Sequence, residues 1–265
     1  MTKAHPASDI STTDAAALAE FAAHHGDPGL GPVCILIAAY REAGSLPAVL
    51  AALPTEAAGL RTAVLVVDDG SDDATARVAR ECGVLVCRAP ENRGQGAALR
   101  LGYRLAAKGG ASFVVTTDAD GQYDPNDIEV VLRPVVDGEA DFVSGSRRLG
   151  TSYRGDDFRR LGVVTYAKLI SLLIGRSVTD PSFGLRAMRV EVPAAVQLEQ
   201  PQYQASELLI GAAMQGFRTA EVPATMHRRS TGKSRKGPDL LYGARFGRVV
   251  MATWRRERRH RRGRG

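Results

Sequence analysis

The run Val114-Val115-Thr116-Thr117 ends abruptly in Asp118-Ala119-Asp120-Gly121-Gln122-Tyr123-Asp124-Pro125. A β-branched stretch of this kind reads as a strand buried on both faces, as in a parallel sheet. Asp124 followed by Pro125 reads as a helix N-cap with proline in the first helical position. Asp118 and Asp120 then fall in a strand-to-helix turn, at the carboxyl end of a strand, where open α/β sheets bind their ligands. Residues two apart in an extended segment point the same way, so both carboxylates can converge on one cation. Oxygen ligands suit Mg²⁺ or Mn²⁺ shared with phosphate and water. An acidic solvated turn is the plain alternative for any single Asp-X-Asp, so the weight rests on what the chain places beside it.

The same pattern recurs. Val33 to Ala38 runs into Ala39-Tyr40-Arg41-Glu42-Ala43-Gly44-Ser45 and a helix to about Leu53. Ala63 to Val67 ends in Asp68-Asp69-Gly70-Ser71-Asp72-Asp73 before a helix from Ala74 to Cys82. A strand from Val84 to Cys87 precedes the glycine turn Asn92-Arg93-Gly94-Gln95-Gly96 and a helix from Ala97 to Ala107. This alternation predicts an α/β fold: a mixed, mainly parallel sheet flanked by helices in a single domain. The tips at 40–42, 68–71, 92–96 and 118–122 should share one sheet edge. A base or ribose can then sit near Tyr40, Glu42, Asp68 and Asp69, and a diphosphate can be bridged by a cation to Asp118 and Asp120.

The second half is less regular. Asp141 to Arg148 reads as a short strand entering a basic turn, and Asp157 to Ile174 as a helix. Asp180-Pro181-Ser182-Phe183-Gly184-Leu185-Arg186 is a turn, Glu207 to Gln215 is helical, Thr219 to Val222 is extended, and His227 to Lys236 is a basic loop. Arg147, Arg186 and the 228–236 loop offer cations to phosphate oxygens. The catalytic domain is expected over residues 32–238. Residues 1–31 form an appendage, with a short helix after the cap cluster Ser11-Thr12-Thr13-Asp14 and then a linker.

Charge separates the last segment, 239–265, from the rest. The net charge is +6, and Arg255 to Gly265 holds seven arginines against one glutamate, so the remainder is formally neutral. Tyr242, Phe246, Val249, Val250 and Trp254 recur at helical spacing, which predicts an amphipathic helix. Such a stripe either packs on its own domain or, with Trp and arginines at its end, lies at a membrane interface. The apolar stretch from Leu161 to Gly175 is broken by Lys168 and falls short of the ~18 residues of a span. The first nine residues lack a secretory pattern. Cys34, Cys82 and Cys87 show no metal-ligand spacing and leave one thiol unpaired, as in a reducing cytosol. Together these features predict a cytoplasmic protein, peripheral at the inner face of the cytoplasmic membrane.

No Ser-His-acid arrangement is placed by the sequence. This bears on mechanism, because a sugar hydroxyl nucleophile needs a general base. A phosphate monoester is already anionic and needs positioning by cations instead.

Taken in order, Ile37-Ala38-Ala39-Tyr40-Arg41-Glu42, Val66-Val67-Asp68-Asp69-Gly70-Ser71 and Asp118-Ala119-Asp120-Gly121-Gln122 resemble the family 2 inverting glycosyltransferases of the GT-A fold. Asp141 to Arg147, Asp180 to Arg186, and Glu221-Val222-Pro223 followed by Arg229-Ser230-Thr231-Gly232-Lys233-Ser234 resemble the polyprenyl (dolichyl)-phosphate mannose or glucose synthase branch. The resemblance spans roughly residues 33–237. It implies that Ala38, Tyr40, Glu42 and Asp68 line the nucleoside site, with Asp69 shaping it. It assigns Asp118, Asp120 and Gln122 to the metal and donor phosphates, and Arg147 and Arg186 to the lipid phosphate and donor diphosphate. Arg229, Lys233 and Ser234 match a loop that closes over the donor, and Glu207 a position lining the sugar pocket. Asp120, Arg147, Arg186 and Glu207 are thus the expected catalytic group.

Two departures stand out. Ala38 and Arg41 replace the Pro and Asn common in the first motif, and Asp180-Pro181-Ser182 replaces a more usual acceptor-side pattern. The implied donor is GDP-mannose, then UDP-glucose, with Mg²⁺ or Mn²⁺. The implied acceptor is polyprenyl phosphate, met by docking of the basic tail on a membrane surface. One alternative is a soluble hydroxyl acceptor with Glu207 or Asp180 as base. A nucleotidyltransferase would carry a glycine-rich loop where Ala39 to Glu42 stand. Arginine tails bind nucleic acid without specificity, but the neutral body argues against that as the main role, and no specific nucleic acid is expected.

Overall fold

The computed structural model describes residues 11–153, 157–228 and 239–262. Its strands are β1 (Val33–Ala39), β2 (Glu56–Ala57), β3 (Leu60–Asp68), β4 (Leu85–Arg88), β5 (Phe113–Asp118), β6 (Phe142–Ser152), β7 (Arg186–Arg189) and β8 (Thr219–Met226). Its helices are α1 (Thr12–His25), α2 (Leu46–Ala52), α3 (Thr75–Glu81), α4 (Gln95–Lys108), α5 (Asp127–Val136), α6 (Asp157–Ile174), α7 (Glu191–Ala195), α8 (Gln204–Met214) and α9 (Asp239–Arg262).

All eight strands join one sheet, ordered β3-β1-β5-β7-β6-β8, with β2 and β4 both paired to β3. β4, β3, β1 and β5 run parallel to one another, as do β6 and β8, while the short β2 pairs β3 antiparallel. β7 enters antiparallel between β5 and β6, which makes the sheet mixed. The alternation of side chains explains why both faces need covering. Along β1, Cys34 and Leu36 pack with α4 and α8, whereas Val33 and Ile35 pack with α5. Ile37, further along, meets α2 and α3.

Register then aligns the strand ends. Ala39 pairs Asp68, Ala38 pairs Asp118, and Asp68 pairs Arg88. The tips expected on one edge are therefore on one edge.

Two local expectations change. α5 begins at Asp127 after Asn126, not at Pro125. Asp124 Oδ1 instead accepts from the Asn126 backbone N–H (3.0 Å) and side-chain amide (3.0 Å), closing an Asx turn. The segment set apart as an appendage carries a helix packed on the domain: Phe21 and Ala17 of α1 are buried in the main core. Asp14 of that helix also pairs with Arg93 (2.6 Å) and Arg104 (2.8 Å) around α4. Of the two readings open for the apolar stripe of α9, its described residues follow the first and pack on their own domain. Phe246 and Val250 are in the core, Tyr166 meets Phe246 edge-on at 4.7 Å, and Trp254 Nε1 donates to the Leu173 carbonyl (2.9 Å).

Candidate active site

Asp68 is the last residue of β3 and is fully buried. Its Oδ1 accepts from the Ser71 backbone N–H (3.0 Å) and from the Ser71 hydroxyl. Its Oδ2 has no hydrogen-bond partner among the described residues, with Arg88 Nε 3.5 Å away. Burial raises the Asp68 pKa against these hydrogen bonds. A buried carboxylate oxygen left this way is costly and suits a hydroxyl or amide donor from a ligand.

Asp69 has a different job. It accepts from the backbone N–H groups of Arg93 (3.1 and 3.2 Å) and Gly94 (2.7 Å), so it holds the turn into α4. Tyr40, Glu42 and Ala38 are partly buried at the end of β1. Glu42 accepts from the Ser45 hydroxyl at 2.7 Å. Arg41, the departure in this motif, turns to Asp72 (Nε to Oδ1 2.5 Å) and lies 5.2 Å from the Tyr40 ring centroid.

Asp118 closes β5, and its Oδ1 accepts from Gln95 Nε2 (3.0 Å) at the start of α4. The chain at Gly184 comes so close that a Cβ there would lie 2.8 Å from the Tyr123 hydroxyl and 3.1 Å from Asp118 Oδ2. Asp120 is buried, and its Oδ1 accepts from the Gln122 backbone N–H (3.1 Å). Gln122 Nε2 donates to the His227 carbonyl (3.3 Å), while His227 N donates back to the Gln122 carbonyl (2.7 Å). This pins the end of β8 against the acidic turn.

Among the described residues no group of three or more His, Cys, Asp or Glu side chains could hold a metal unaided. Two oxygen-donor carboxylates in a cradle that a Cβ would fill fit Mg²⁺ or Mn²⁺ in the mode where ligand phosphates and water complete the shell.

Arg147 lies on β6 opposite this turn. Its fork grips the fully buried Asp180 (Nε to Oδ2 2.5 Å, Nη2 to Oδ1 3.0 Å), and Nη2 also reaches Ser182 (2.9 Å). Nη1 reaches the Met226 sulfur (3.2 Å), a weak acceptor. Asp180 is itself placed by Glu221, which accepts from the backbone N–H groups of Thr179 (2.7 Å) and Asp180 (2.9 Å).

Two expected catalytic residues are turned into the protein interior. Arg186 is 2% exposed and spends its guanidinium on the carbonyls of Phe183 (2.6 Å), Pro181 (3.0 Å) and Ala205. Burial lowers its pKa. It braces the 181–186 turn from within rather than facing a ligand. Glu207 is fully buried and accepts from the backbone N–H groups of Glu199 (3.0 and 3.1 Å) and Gln200 (3.0 Å), and from Arg256 Nη1 (3.1 Å). Arg229, Lys233 and Ser234 lie outside the described residues.

Several contacts escaped sequence reasoning. Gln95 was legible only as part of a glycine turn, and the sequence-distant Glu221 and Arg256 carry no local sign of their partners. Gly96 did carry one, as a glycine opening a helix. A Cβ there would lie 1.9 Å from the Gln200 carbonyl, and Gly96 N donates to the Pro201 carbonyl (2.9 Å).

Carboxylates at one edge of a helix-covered, mainly parallel sheet, with an antiparallel strand beside them, define a GT-A type transferase fold. The glycosyl transferase family 2 model matches residues 34–194, and the chain belongs to that family. It is therefore a family 2 glycosyltransferase. The dolichyl-phosphate hexose transferase of Haloferax volcanii is 31% identical over 226 residues, covering 85% of this chain and 95% of that protein. The polyprenol monophosphomannose synthase of Mycolicibacterium smegmatis is 31% identical over 232 residues, covering 83% and 85% respectively. Among solved structures, the glucosyl-3-phosphoglycerate synthase of Mycobacterium tuberculosis superposes with a TM-score of 0.63 at 22% identity, over 91% of this chain and 83% of that one.

Proposed function

We propose that this enzyme transfers a hexose from a nucleotide sugar to a polyprenyl phosphate, with inversion. The carrying observation is the pairing of an acidic edge, Asp68, Asp118 and Asp120, with a cationic fork, Arg147, held across from it by Asp180. The acidic edge suits the donor and the fork suits an anionic acceptor. The names of two relatives that each cover more than four fifths of the chain support a lipid phosphate.

In this reading the nucleoside rests against Tyr40 and Glu42, and a donor hydroxyl or amide meets Asp68 Oδ2. Asp118 and Asp120, with Gln122 beside them, would hold Mg²⁺ or Mn²⁺, which supplies charge neutralisation for the leaving diphosphate. Arg147 orients the acceptor phosphate, one oxygen of which forms the bond to the anomeric carbon. The bond from that carbon to the diphosphate oxygen breaks on the opposite face, and the nucleoside diphosphate leaves with the electron pair.

A phosphate nucleophile needs no general base. Glu207, one of the two carboxylates considered as bases for a hydroxyl acceptor, is fully buried and committed to backbone N–H groups and Arg256. This favours the phosphate acceptor. GDP-mannose is the first donor to test and UDP-glucose the second.

No described helix is long and apolar enough to cross a membrane. In this reading the lipid is met at the inner membrane surface by docking. The test is nucleoside diphosphate release from each donor with Mn²⁺ or Mg²⁺, with and without a short-chain polyprenyl phosphate. Lipid-dependent release supports the reading. Equal release with and without lipid, or release only with soluble acceptors, overturns it.

A further inference from the structure

We propose that the carboxyl-terminal half of α9, together with the end of α6, forms a docking surface for an anionic phospholipid bilayer. The proposal gives a residue-level surface to the membrane encounter in the reading above, but its test does not use that reading. Since the apolar stripe of α9 is spent on the core, docking cannot proceed by laying that stripe into lipid. What remains outward is charge. Arg248, Arg255, Arg259 and Arg262 are exposed at positions i, i+7, i+11 and i+14, which makes one line along the helix opposite its buried face. The one acidic residue between Arg245 and Arg262 is Glu257, and it is buried, 3.3 Å from Arg256 Nε. The exposed face therefore carries arginine charge without acidic relief.

Two further observations favour lipid over a generic polyanion. Leu172 on α6 is 81% exposed, the most exposed large apolar residue among those described. The carbonyl of its neighbour Leu173 accepts the Trp254 indole N–H, so the end of α6 that carries Leu172 lies against α9. Arg258 stacks over the Trp254 ring at 4.9 Å. An apolar knob beside indole and guanidinium groups matches the headgroup boundary, whereas a nucleic-acid backbone offers nothing to a protruding leucine.

The test is co-sedimentation of the full chain with phosphatidylcholine vesicles, with and without phosphatidylglycerol. Binding should require phosphatidylglycerol and weaken with salt. The Arg255→Gln/Arg259→Gln variant should bind roughly 25-fold more weakly, at about fivefold per arginine. Arg255→Lys/Arg259→Lys should retain binding, and Leu172→Asp should lose it. Unchanged nucleoside diphosphate binding and thermal melting show that each variant is folded. Equal binding to neutral vesicles, or binding unaffected by the Gln pair, overturns the proposal. So does displacement from vesicles by equimolar duplex DNA, which would make the surface a nucleic-acid site. Vesicle binding without lipid-phosphate turnover would retain the docking surface while removing the proposed acceptor, and the reverse result would do the opposite.

Discussion

Arg256, nine residues from the carboxyl terminus, donates to Glu207, a fully buried carboxylate on α8 (3.1 Å). The same guanidinium reaches Glu199 (2.9 Å) and Glu257 (3.3 Å). Burial works against its charge, but these carboxylates outweigh that and hold its pKa up. What reads in sequence as the start of a basic tail is thus a fastener between α9, α8 and the 199–201 loop. Arg256→Ala leaves Glu207 buried without its cation, and such losses cost about 3–5 kcal/mol. Thermal melting should show a large drop, with Arg256→Lys intermediate because lysine lacks the fork. A melting temperature unchanged in Arg256→Ala would mean that the tail is not part of the folded unit.

Asp68 predicts an exchange between stability and binding. Burial raises its pKa above the ordinary value of about 3.9. A carboxyl raised in the folded state favours folding while it is protonated. That contribution is complete below about 3.9 and is lost as pH rises through the raised value. Asp68→Asn should therefore raise the melting temperature of the ligand-free enzyme at neutral pH, with the gain shrinking as pH falls through the raised value and gone below about 3.9. The same substitution should weaken nucleoside diphosphate binding roughly ten- to hundredfold, the worth of a charged hydrogen bond. Calorimetry across pH reads the first effect and titration the second.

Much of this arrangement was visible in the chain itself. β-branched runs ending in acid-glycine tips fixed the sheet, and parallel pairing placed Asp68 and Asp118 on one edge. The boundary at α5 was misread because Asp124 and Pro125 serve an Asx turn as readily as an N-cap, and only the Asn126 contacts decide between them. Arg186 and Glu207 have the residue types of a phosphate clamp and a base. Their burial against backbone groups depends on the turn at 181–186 and the loop at 199–201, which no local pattern announces. Helical periodicity in α9 located an apolar face but could not say whether protein or lipid covers it.

Gly184 predicts a steric effect on the acidic turn. A methyl group there would meet the Tyr123 hydroxyl at 2.8 Å and Asp118 Oδ2 at 3.1 Å. Gly184→Ala should cost about 1–3 kcal/mol of stability and displace the Asp118 carboxylate. Mn²⁺ titration in the presence of nucleoside diphosphate should show weaker binding, while Gly29→Ala, which has nothing within 4 Å and no left-handed backbone, should leave it intact.

Arg147 predicts a split between substrates. Arg147→Lys keeps a cation but loses the two-pronged grip on Asp180 and the bond to Ser182. The apparent KM for the lipid phosphate should rise by about tenfold, the worth of one charged hydrogen bond, with little change in the donor KM. Equal effects on both would place Arg147 at the donor instead.

The central claim is that Asp118 and Asp120 serve transfer of a hexose onto a lipid phosphate. The most direct measurement is recovery of labelled hexose in the organic phase after incubation of GDP-mannose or UDP-glucose with short-chain polyprenyl phosphate and Mn²⁺. The wild-type chain should yield an acid-labile glycolipid of inverted anomeric configuration, and Asp120→Ala should yield none while keeping its melting temperature. Label that stays in the aqueous phase with every donor, or a glycolipid formed equally by Asp120→Ala, would contradict the account.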